Sequence, residues 1–349
     1  MLNRHSEGAK WTGCLLYIYV KKFMKHLTIL VPVGEGNNIS SIVGSYKIFS
    51  RANAYRKQTG KRDLFSIHVA GTSRRVRYYD GLFSVNPDTQ ITAIERTDLI
   101  IIPSLNHNYQ TSLKKNVPLI KWIESQYNEG AEVASICTGA FLLAETGLLN
   151  GRTCSTNWAV ADSFRKMFPE VILQTDKLIT DERGIYTSGG AYSFLNLVIY
   201  LVEKYYGRET AIYCSKVFQV EMERKSQSPF IIFKGQKSHG DTVVEQAQAF
   251  IEKQWNEKIS MERLSARYSV SRRNFDRRFI KATGNSPGEY HQRIRIEAAK
   301  KYFETTGKNV NEVMFDVGYS DAKAFREVFR KITGLSPLEY RNRYNIDSI

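Results

Sequence analysis

The chain has little cysteine, and what it has is scattered. Its 349 residues include four cysteines, Cys14, Cys137, Cys154 and Cys214, which form no CxxC motif and no cluster with histidine. This spacing argues against a disulfide framework and against a zinc site. The sequence therefore predicts a protein of the reducing cytoplasm with no metal and no other cofactor.

Long apolar runs are also missing, since no stretch approaches the ~20 residues that cross a bilayer. The stretch Trp11–Val20 between lysines resembles a short signal sequence, but no small-residue cleavage site follows it. Residues 1–23 are either a targeting or membrane-touching segment or a non-essential extension from a start codon placed too early. We expect the second alternative, a disordered extension, and we expect no membrane partner.

Acidic residues are outnumbered, with 35 Asp and Glu against 50 Lys and Arg, for a formal charge of +15. This balance favours a polyanionic partner, although surplus lysine is often only a solvated surface. The length suggests two domains.

The first two-thirds of the chain alternate short apolar strands with amphipathic helices. This order predicts an α/β fold, a flavodoxin-like parallel sheet sandwiched by helices, with ligands bound beyond the carboxyl ends of the strands. The predicted strands are Leu27–Val31, Leu64–Val69, Asp98–Ile102 and Ala131–Ile136, and the predicted helices are Ser41–Gln58, Pro118–Asn128, Thr138–Thr146 and Ser193–Tyr205.

Cys137 follows the fourth strand at once and begins a helix. A sharp turn there would strain its dihedrals and require small neighbours, which Ser135 and Gly139 supply two residues to either side. The helix N-terminus would lower the pKa of the thiol. The alternative is that Cys137 is merely a small buried residue.

The segment Cys137–Arg152 and the sequence Ser-Thr-Asn-Trp at 155–158 resemble the DJ-1/PfpI branch of the class I glutamine amidotransferase-like fold. The resemblance covers about residues 26–225 and is closest to the version fused to transcription regulators. Enzymes of this branch often carry histidine after the cysteine, where this chain has Thr138. The regulator-fused relatives commonly have histidine where it has Asn157.

Without those histidines, His107 in the loop after the third predicted strand could approach the Cys137 thiol as a base, but a lone loop histidine is more often solvated. We therefore expect no catalytic residue and a vestigial elbow at Cys137. A sensing pocket for a small-molecule effector of unknown identity is the better hypothesis, and a helix start favours an anionic group there. The predicted ligand-binding residues are Glu35, Cys137, Thr138, Asn157, Ser188 and Gly189.

The polar, glycine-containing segment 234–241 predicts a linker. We accordingly expect an extension at 1–23, a ligand-sensing domain at 24–233 and an all-α domain at 242–349.

A fifteen-residue stretch occurs twice in that last domain. Phe279–Arg293 and Phe329–Arg343 share nine identities at an offset of 50 residues, so one structural unit is used twice. Each copy predicts a helix closed by Gly284 or Gly334, followed by a helix capped by serine, with proline in its first turn and glutamate completing a capping box.

Each copy belongs to a predicted helix-turn-helix unit. Ser260 and Ser271 would cap the two helices of the first unit, and Asn309 and Asp321 those of the second. A long helix from Pro287 to about Phe303 would join the units. With the phenylalanines at 275, 279, 325 and 329 turned inward, the outward residues of the second helices are the candidate contacts to double-stranded DNA. These are Arg272, Arg273, Asn274, Asp276, Arg277, Arg278, Lys281, Lys323, Arg326, Glu327 and Arg330.

The motifs Gly318-Tyr-Ser, Phe325-x-x-x-Phe329-Arg-Lys-x-x-Gly334 and Ser336-Pro-x-x-Tyr340-Arg341 resemble the AraC/XylS family of bacterial transcription regulators. The resemblance covers about residues 241–345 and implies seven helices whose two recognition helices enter successive major grooves. Carried over by position, Arg273, Asp276, Arg277, Lys323, Arg326 and Glu327 would meet bases. Glu327 and Met314 depart from the family pattern, where a basic and a small residue are usual.

The sequence thus favours a ligand-responsive, sequence-specific DNA-binding transcription regulator. Phosphate contacts from Arg278, Lys281, Arg293 and Arg343 would supply salt-dependent affinity. The effector would act on a homodimer formed by the outer helices of the first domain. The alternatives are a cysteine-dependent amidase or glyoxalase-like hydrolase with an accessory DNA-binding domain, and a DNA-compacting protein without sequence preference.

Overall fold

The computed structural model describes residues 24–34, 37–106, 108–222, 224, 226–237 and 239–345. The predicted extension at 1–23, Glu35 and His107 lie outside these ranges. The chain divides into two compact units, the first ending at Gln227 and the second beginning at Ser228. The predicted linker 234–241 groups with the second unit.

The first unit is built on a seven-stranded sheet. Its strands are β1 (Lys25–Val31), β2 (Phe65–Gly71), β5 (Thr89–Gln90), β6 (Leu99–Ile102), β7 (Glu132–Ile136), β10 (Ile179–Glu182) and β11 (Ile185–Ser188). They lie in the order β10-β11-β7-β6-β1-β2-β5, and neighbouring strands are parallel except for the antiparallel β10 and β11 at one edge. The sheet confirms the predicted fold class.

Helices cover both faces of the sheet, because its central strands are apolar on both sides. The helices are α1 (Ile39–Gln58), α2 (Tyr109–Lys115), α3 (Val117–Asn128), α4 (Ala140–Glu145), α5 (Ala161–Met167), α6 (Phe194–Tyr206) and α7 (Arg208–Phe218). One core packs Leu27, Ile29 and Val31 against α1, α6 and α7, and the other packs Leu30, Ile100 and Ile102 against α2 to α5.

Short elements complete the unit, and the strand pattern did not predict them. β3 (Val76–Tyr78) and β4 (Phe83–Val85) form an antiparallel hairpin, and β8 (Thr153–Cys154) pairs with β9 (Ile172–Leu173). Strands of two or three residues carry too little periodicity to be recognised.

The second unit contains seven α-helices among its described residues, the number that the AraC/XylS resemblance implies. They are α8 (Thr242–Lys253), α9 (Met261–Arg267), α10 (Arg272–Thr283), α11 (Pro287–Thr305), α12 (Val310–Asp316), α13 (Ala322–Thr333) and α14 (Pro337–Tyr344). Helices α9 and α10 form the first helix-turn-helix and α12 and α13 the second, and α11 joins them as predicted.

The predicted helix ends are formed with one exception. Gly284 and Gly334 close α10 and α13 at φ 69° and 76°, and Ser286 and Ser336 make full capping boxes with glutamate. Ser271 occupies the N-cap position of α10, but its side chain makes no capping hydrogen bond, which corrects the prediction for that residue.

The two turns differ by one residue. Val270 N donates to Ser265 O in the first turn, and Tyr319 N donates to Met314 O in the second, so these bonds correspond. After them, the first turn has Ser271 before α10 begins, whereas the second turn has one more residue, Ser320, before α13 begins. Gly318 lies at φ 80°, where a Cβ would come within 2.1 Å of Asn256 O, so glycine is required there. Met314 is buried where the first motif has the small Ser265.

Candidate functional site

The strained turn predicted at the end of β7 is present. Cys137 has a positive φ of 52°, unusual for a residue with a side chain. A Cβ on Gly139 would lie 2.6 Å from Pro103 O and 2.8 Å from Ile102 O, so this position must be glycine. The helical turn that follows thus packs directly on the end of β6.

Burial, rather than the helix start, dominates the chemistry of Cys137. The side chain is 2% exposed, and this burial raises the pKa of the Cys137 thiol. Hydrogen bonds from Ser104 and Asn157 offset part of the rise. The expected net lowering of the pKa is therefore wrong, because the cost of burying a thiolate exceeds the help from these donors.

The hydroxyl of Thr138 is already engaged within the protein. Its Oγ1 donates to Leu105 O at 2.7 Å and lies 2.8 Å from Ser104 Oγ. Asn157 is half-buried and caps the next turn by accepting a hydrogen bond from Ala159 N at 2.9 Å. Cys137, Thr138 and Asn157 are thus brought together.

Ser188 and Gly189 follow β11, the strand next to β7. Ser188 pairs with Ile136 in the sheet, and its buried Oγ makes no hydrogen bond with any described residue. Gly189 is covered by Gln227, since a Cβ on this glycine would lie 2.1 Å from Gln227 Nε2. The predicted site residues that the structure describes therefore lie along the ends of β7 and β11 and the loop after β8.

Gln227 is a buried residue of this site that the sequence did not indicate. Its Nε2 donates to Thr156 O at 3.0 Å, with Lys177 O at 3.2 Å and Ser155 Oγ at 3.3 Å. Thr156 in turn donates its hydroxyl to Cys137 O at 2.7 Å. Thr156 therefore lies between the cysteine turn and the last residue of the first unit.

We call residues 228–241 the strap, and several of its described residues bond to the helices of the second unit. The buried Lys300 donates from Nζ to Ile231 O at 2.5 Å and to Glu297 Oε2 at 2.9 Å, and Phe233 packs edge-on to Tyr290 at 5.2 Å. Further on, Gln248 donates to Gln236 O at 2.8 Å. The strap ends at Asp241, the N-cap of α8.

On α10, the predicted DNA contacts separate into two groups. Arg272 donates to Asp276 at 2.9 Å and to Glu262 at 2.6 Å, and Arg278 donates to Asp241 at 2.8 and 2.6 Å. The other group comprises the exposed Arg273, Arg277 and Lys281 and the half-buried Asn274, which accepts from Arg277 at 3.0 Å. Carboxylates within the protein thus pair with Arg272 and Arg278, whereas the positive charges of Arg273, Arg277 and Lys281 remain exposed to solvent and available to a partner.

On α13, Lys323, Arg326, Glu327 and Arg330 are all exposed, and none forms an ion pair with another described residue. They share one face because Phe325 and Phe329 are fully buried on the other. Of the remaining predicted phosphate contacts, Arg343 is exposed, whereas Arg293 donates to Asn285 Oδ1 at 2.8 Å and stacks on Phe233.

No group of three or more histidine, cysteine or acidic side chains lies close enough to hold a metal ion in the described part of the chain. Within the same ranges, no helix has the length and apolar character needed to cross a membrane.

Comparison with known proteins agrees with this architecture. The model of the DJ-1/PfpI family matches residues 28–204, and that of a helix-turn-helix domain matches residues 264–343. The HTH-type transcriptional regulator GbdR of Pseudomonas aeruginosa is 25% identical over 307 residues, 86% of this chain and 82% of that protein. ArgR, an HTH-type transcriptional regulator of the same species, is 27% identical over 61% of this chain and 65% of its own length.

Among solved structures, a candidate transcriptional regulator from Vibrio parahaemolyticus superposes with a TM-score of 0.50 at 26% identity, covering 56% of this chain and 98% of that one. The chain therefore belongs to the DJ-1/PfpI family and carries a helix-turn-helix domain of the AraC type in its second unit.

Proposed function

We propose that the protein is a transcription regulator that binds specific sequences of duplex DNA through α10 and α13. The observation that carries this proposal is the pair of recognition helices, which present Arg273 and Arg277 at the positions occupied by Lys323 and Glu327 in the second copy. Arginine and lysine donate to guanine in the major groove, and a carboxylate accepts from cytosine. The differing pairs would give the two half-sites different sequences.

The ion pairs on α10 support a division of roles. Because Asp276 and Arg278 are held by Arg272 and Asp241, we assign them to positioning the recognition helix rather than to contacting bases or phosphates. Lys281 remains exposed and forms no ion pair with any described residue, which suits a phosphate contact.

Salt titration of DNA binding tests this division. Lys281→Gln should reduce the slope of log affinity against log salt by about 1 without changing the preferred sequence. Lys121→Gln, an exposed lysine of the first unit, is the matched control and should leave the slope unchanged. Equal slopes for the wild type and Lys281→Gln would show that Lys281 does not contact a DNA phosphate.

We infer further that the first unit senses a small molecule at the cysteine turn and has no hydrolase activity. A cysteine hydrolase needs a base at the thiol. The described residues that hydrogen-bond to Cys137 are Ser104, Thr138 and Asn157, and none of these can accept its proton. The buried Oγ of Ser188 offers a hydrogen-bonding group that a bound effector would satisfy.

The route from this site to the DNA-binding unit would run through Thr156, Gln227 and the strap. An effector that shifts the loop holding Thr156 would disturb the hydrogen bond that anchors Gln227. The next residue, Ser228, begins the strap, which ends at the ion pair of Asp241 with Arg278 on α10. Such coupling requires an effector that binds one arrangement of the strap more tightly than the other.

We also propose that the protein forms a homodimer through the outer helices of the first unit. Val43 and Tyr46 lie one turn apart on α1 and are 48% and 44% exposed, which gives this helix an apolar surface for a second copy. Sedimentation of Tyr46→Glu tests it: a dimer that turns monomeric supports this face, and a mass unchanged from the wild type argues against it.

A further inference from the structure

A small basic cleft opens in the first unit at the end of β1. Its volume is about 190 Å³, and it is lined by Val33 and Gly34 of the loop after β1, by Ser73, Arg75, Val76 and Arg77 of the hairpin region, and by Lys115 at the end of α2. This edge of a parallel sheet, beyond the carboxyl ends of the strands, is where such folds bind ligands. None of these residues belongs to the site predicted at Cys137.

Two buried side chains hold the walls of the cleft on the same loop. Asn116 accepts a hydrogen bond from Val33 N at 2.8 Å and donates to Val33 O at 2.7 Å, which fixes the neighbouring Lys115 beside the loop. From the other side, Tyr78 donates its hydroxyl to Pro32 O at 3.1 Å. Asn116 and Tyr78 are both fully buried, so the cleft has a defined shape.

Among the described residues, no acidic side chain compensates the charge of the cleft. Its described lining includes three cations and no carboxylate. Arg75 donates to Ser84 Oγ at 3.1 Å, and neither Arg77 nor Lys115 forms an ion pair with a described residue. Lys57 and Lys204 elsewhere in this unit each pair with an aspartate. Three like charges around one small opening repel one another, and a bound anion would relieve that repulsion.

We propose that this cleft binds a small dianion, a metabolite carrying a phosphate monoester or two carboxylates. The forked guanidinium groups of Arg75 and Arg77 match the oxygens of either group, and Lys115 adds a point charge. The cleft is smaller than the ~300 Å³ at which pockets for drug-sized ligands begin, so it fits the charged end of a ligand rather than a large molecule.

Calorimetric titration of the full chain without DNA tests the site, with inorganic phosphate and malonate as dianions and acetate as the monoanion. We expect both dianions, or one of them, to bind with one-to-one stoichiometry and acetate to bind at least tenfold more weakly. Binding of phosphate alone would assign a phosphoryl ligand, and binding of malonate alone a dicarboxylate. Similar weak binding of all three would mean a general attraction to a basic surface and would overturn the proposal.

Two matched pairs of variants locate the binding. Lys115→Gln and Arg77→Gln should each weaken dianion binding about tenfold. Lys114→Gln and Arg74→Gln each remove the same charge from an exposed neighbour outside the cleft. These two variants should change the affinity for the dianion less than twofold. All four positions are exposed, so melting temperatures without anion should agree. Equal losses in both members of a pair would refute the site, and because DNA is absent, the result is independent of the function proposed above.

Discussion

The side-chain amide of Gln227 donates a hydrogen bond to the carbonyl oxygen of Thr156 at 3.0 Å. The hydroxyl of Thr156 donates to the carbonyl oxygen of Cys137, so the amide of Gln227 is two hydrogen bonds away from that carbonyl. Since Gln227 is the last residue of the first unit, the cysteine turn and the chain that leads to the DNA-binding unit share one small network.

A double-mutant cycle measures how tightly this network is packed. Gly189→Ala should destabilise the first unit by about 1–3 kcal/mol, because the new Cβ would collide with the amide of Gln227. In a Gln227→Ala background the same substitution has room. The two effects on the free energy of unfolding should therefore be non-additive by about 0.5–3 kcal/mol.

Urea titration of the four chains gives this coupling. The control is Gly44→Ala, because a Cβ on Gly44 would collide with Phe194 rather than with Gln227. Its effect should add to that of Gln227→Ala. Additivity of the Gly189 and Gln227 substitutions would show that these residues do not press on one another.

The pairing of Arg278 with Asp241 predicts that Arg278 is not a phosphate contact. Arg278→Gln should leave the salt dependence of DNA binding within experimental error of the wild type, in contrast to Lys281→Gln. Asp241→Ala should lower the free energy of unfolding of the second unit by about 1 kcal/mol, because α8 loses its N-cap. A salt slope reduced by about 1 in Arg278→Gln would restore the role that the sequence predicted.

Burial of Cys137 predicts a slow thiol. Because burial raises the pKa of the Cys137 thiol, iodoacetamide should modify it far more slowly in the folded chain than in urea, and the rate should still rise above pH 9. Peptide mass spectrometry separates Cys137 from the other cysteines. Rapid labelling near neutral pH would indicate an activated thiolate and favour the hydrolase.

Cys137→Ser should leave DNA binding without effector intact.

His291 predicts a pH-dependent stability of the second unit. Burial lowers the pKa of His291, whose Nε2 lies 2.7 Å from Trp255 O. Below its ordinary pKa of about 6.5 the unfolded chain binds a proton that the folded chain resists, so stability falls as the pH drops from there towards the folded pKa. In His291→Gln the free energy of unfolding should vary less between pH 6.5 and 5; an unchanged profile would assign the pH dependence to other groups.

Local chemistry made much of the fold predictable. The capping boxes at Ser286 and Ser336 involve residues three positions apart, and the turn at Cys137 needs only its small neighbours, so both are visible in the chain. The partners of Arg272 and Arg278 come from elsewhere, Glu262 and Asp241. Helical periodicity showed which way these arginines point but not which carboxylates meet them.

The same limit explains why the sequence did not indicate Gln227 at the cysteine turn or Asn116 beside the basic cleft. Gln227 reaches Thr156 across 71 residues and Asn116 reaches Val33 across 83, and nothing in the local pattern of either distinguishes it from a solvated amide. The predicted lowering of the Cys137 pKa was wrong for a related reason, because helix polarity is evident from the sequence but the depth of burial is not.

Specific base contacts from α10 and α13 can be tested by selecting bound sequences from random duplex DNA. The selection compares the wild type, Arg273→Ala and the control Arg165→Ala, which replaces an exposed arginine of the first unit. The wild type should enrich one motif with two half-sites, and Arg273→Ala should relax it at one base position at a cost of about 1–3 kcal/mol. Arg165→Ala should select the wild-type motif. No enriched motif, or the same motif from Arg273→Ala at unchanged affinity, would contradict the assignment.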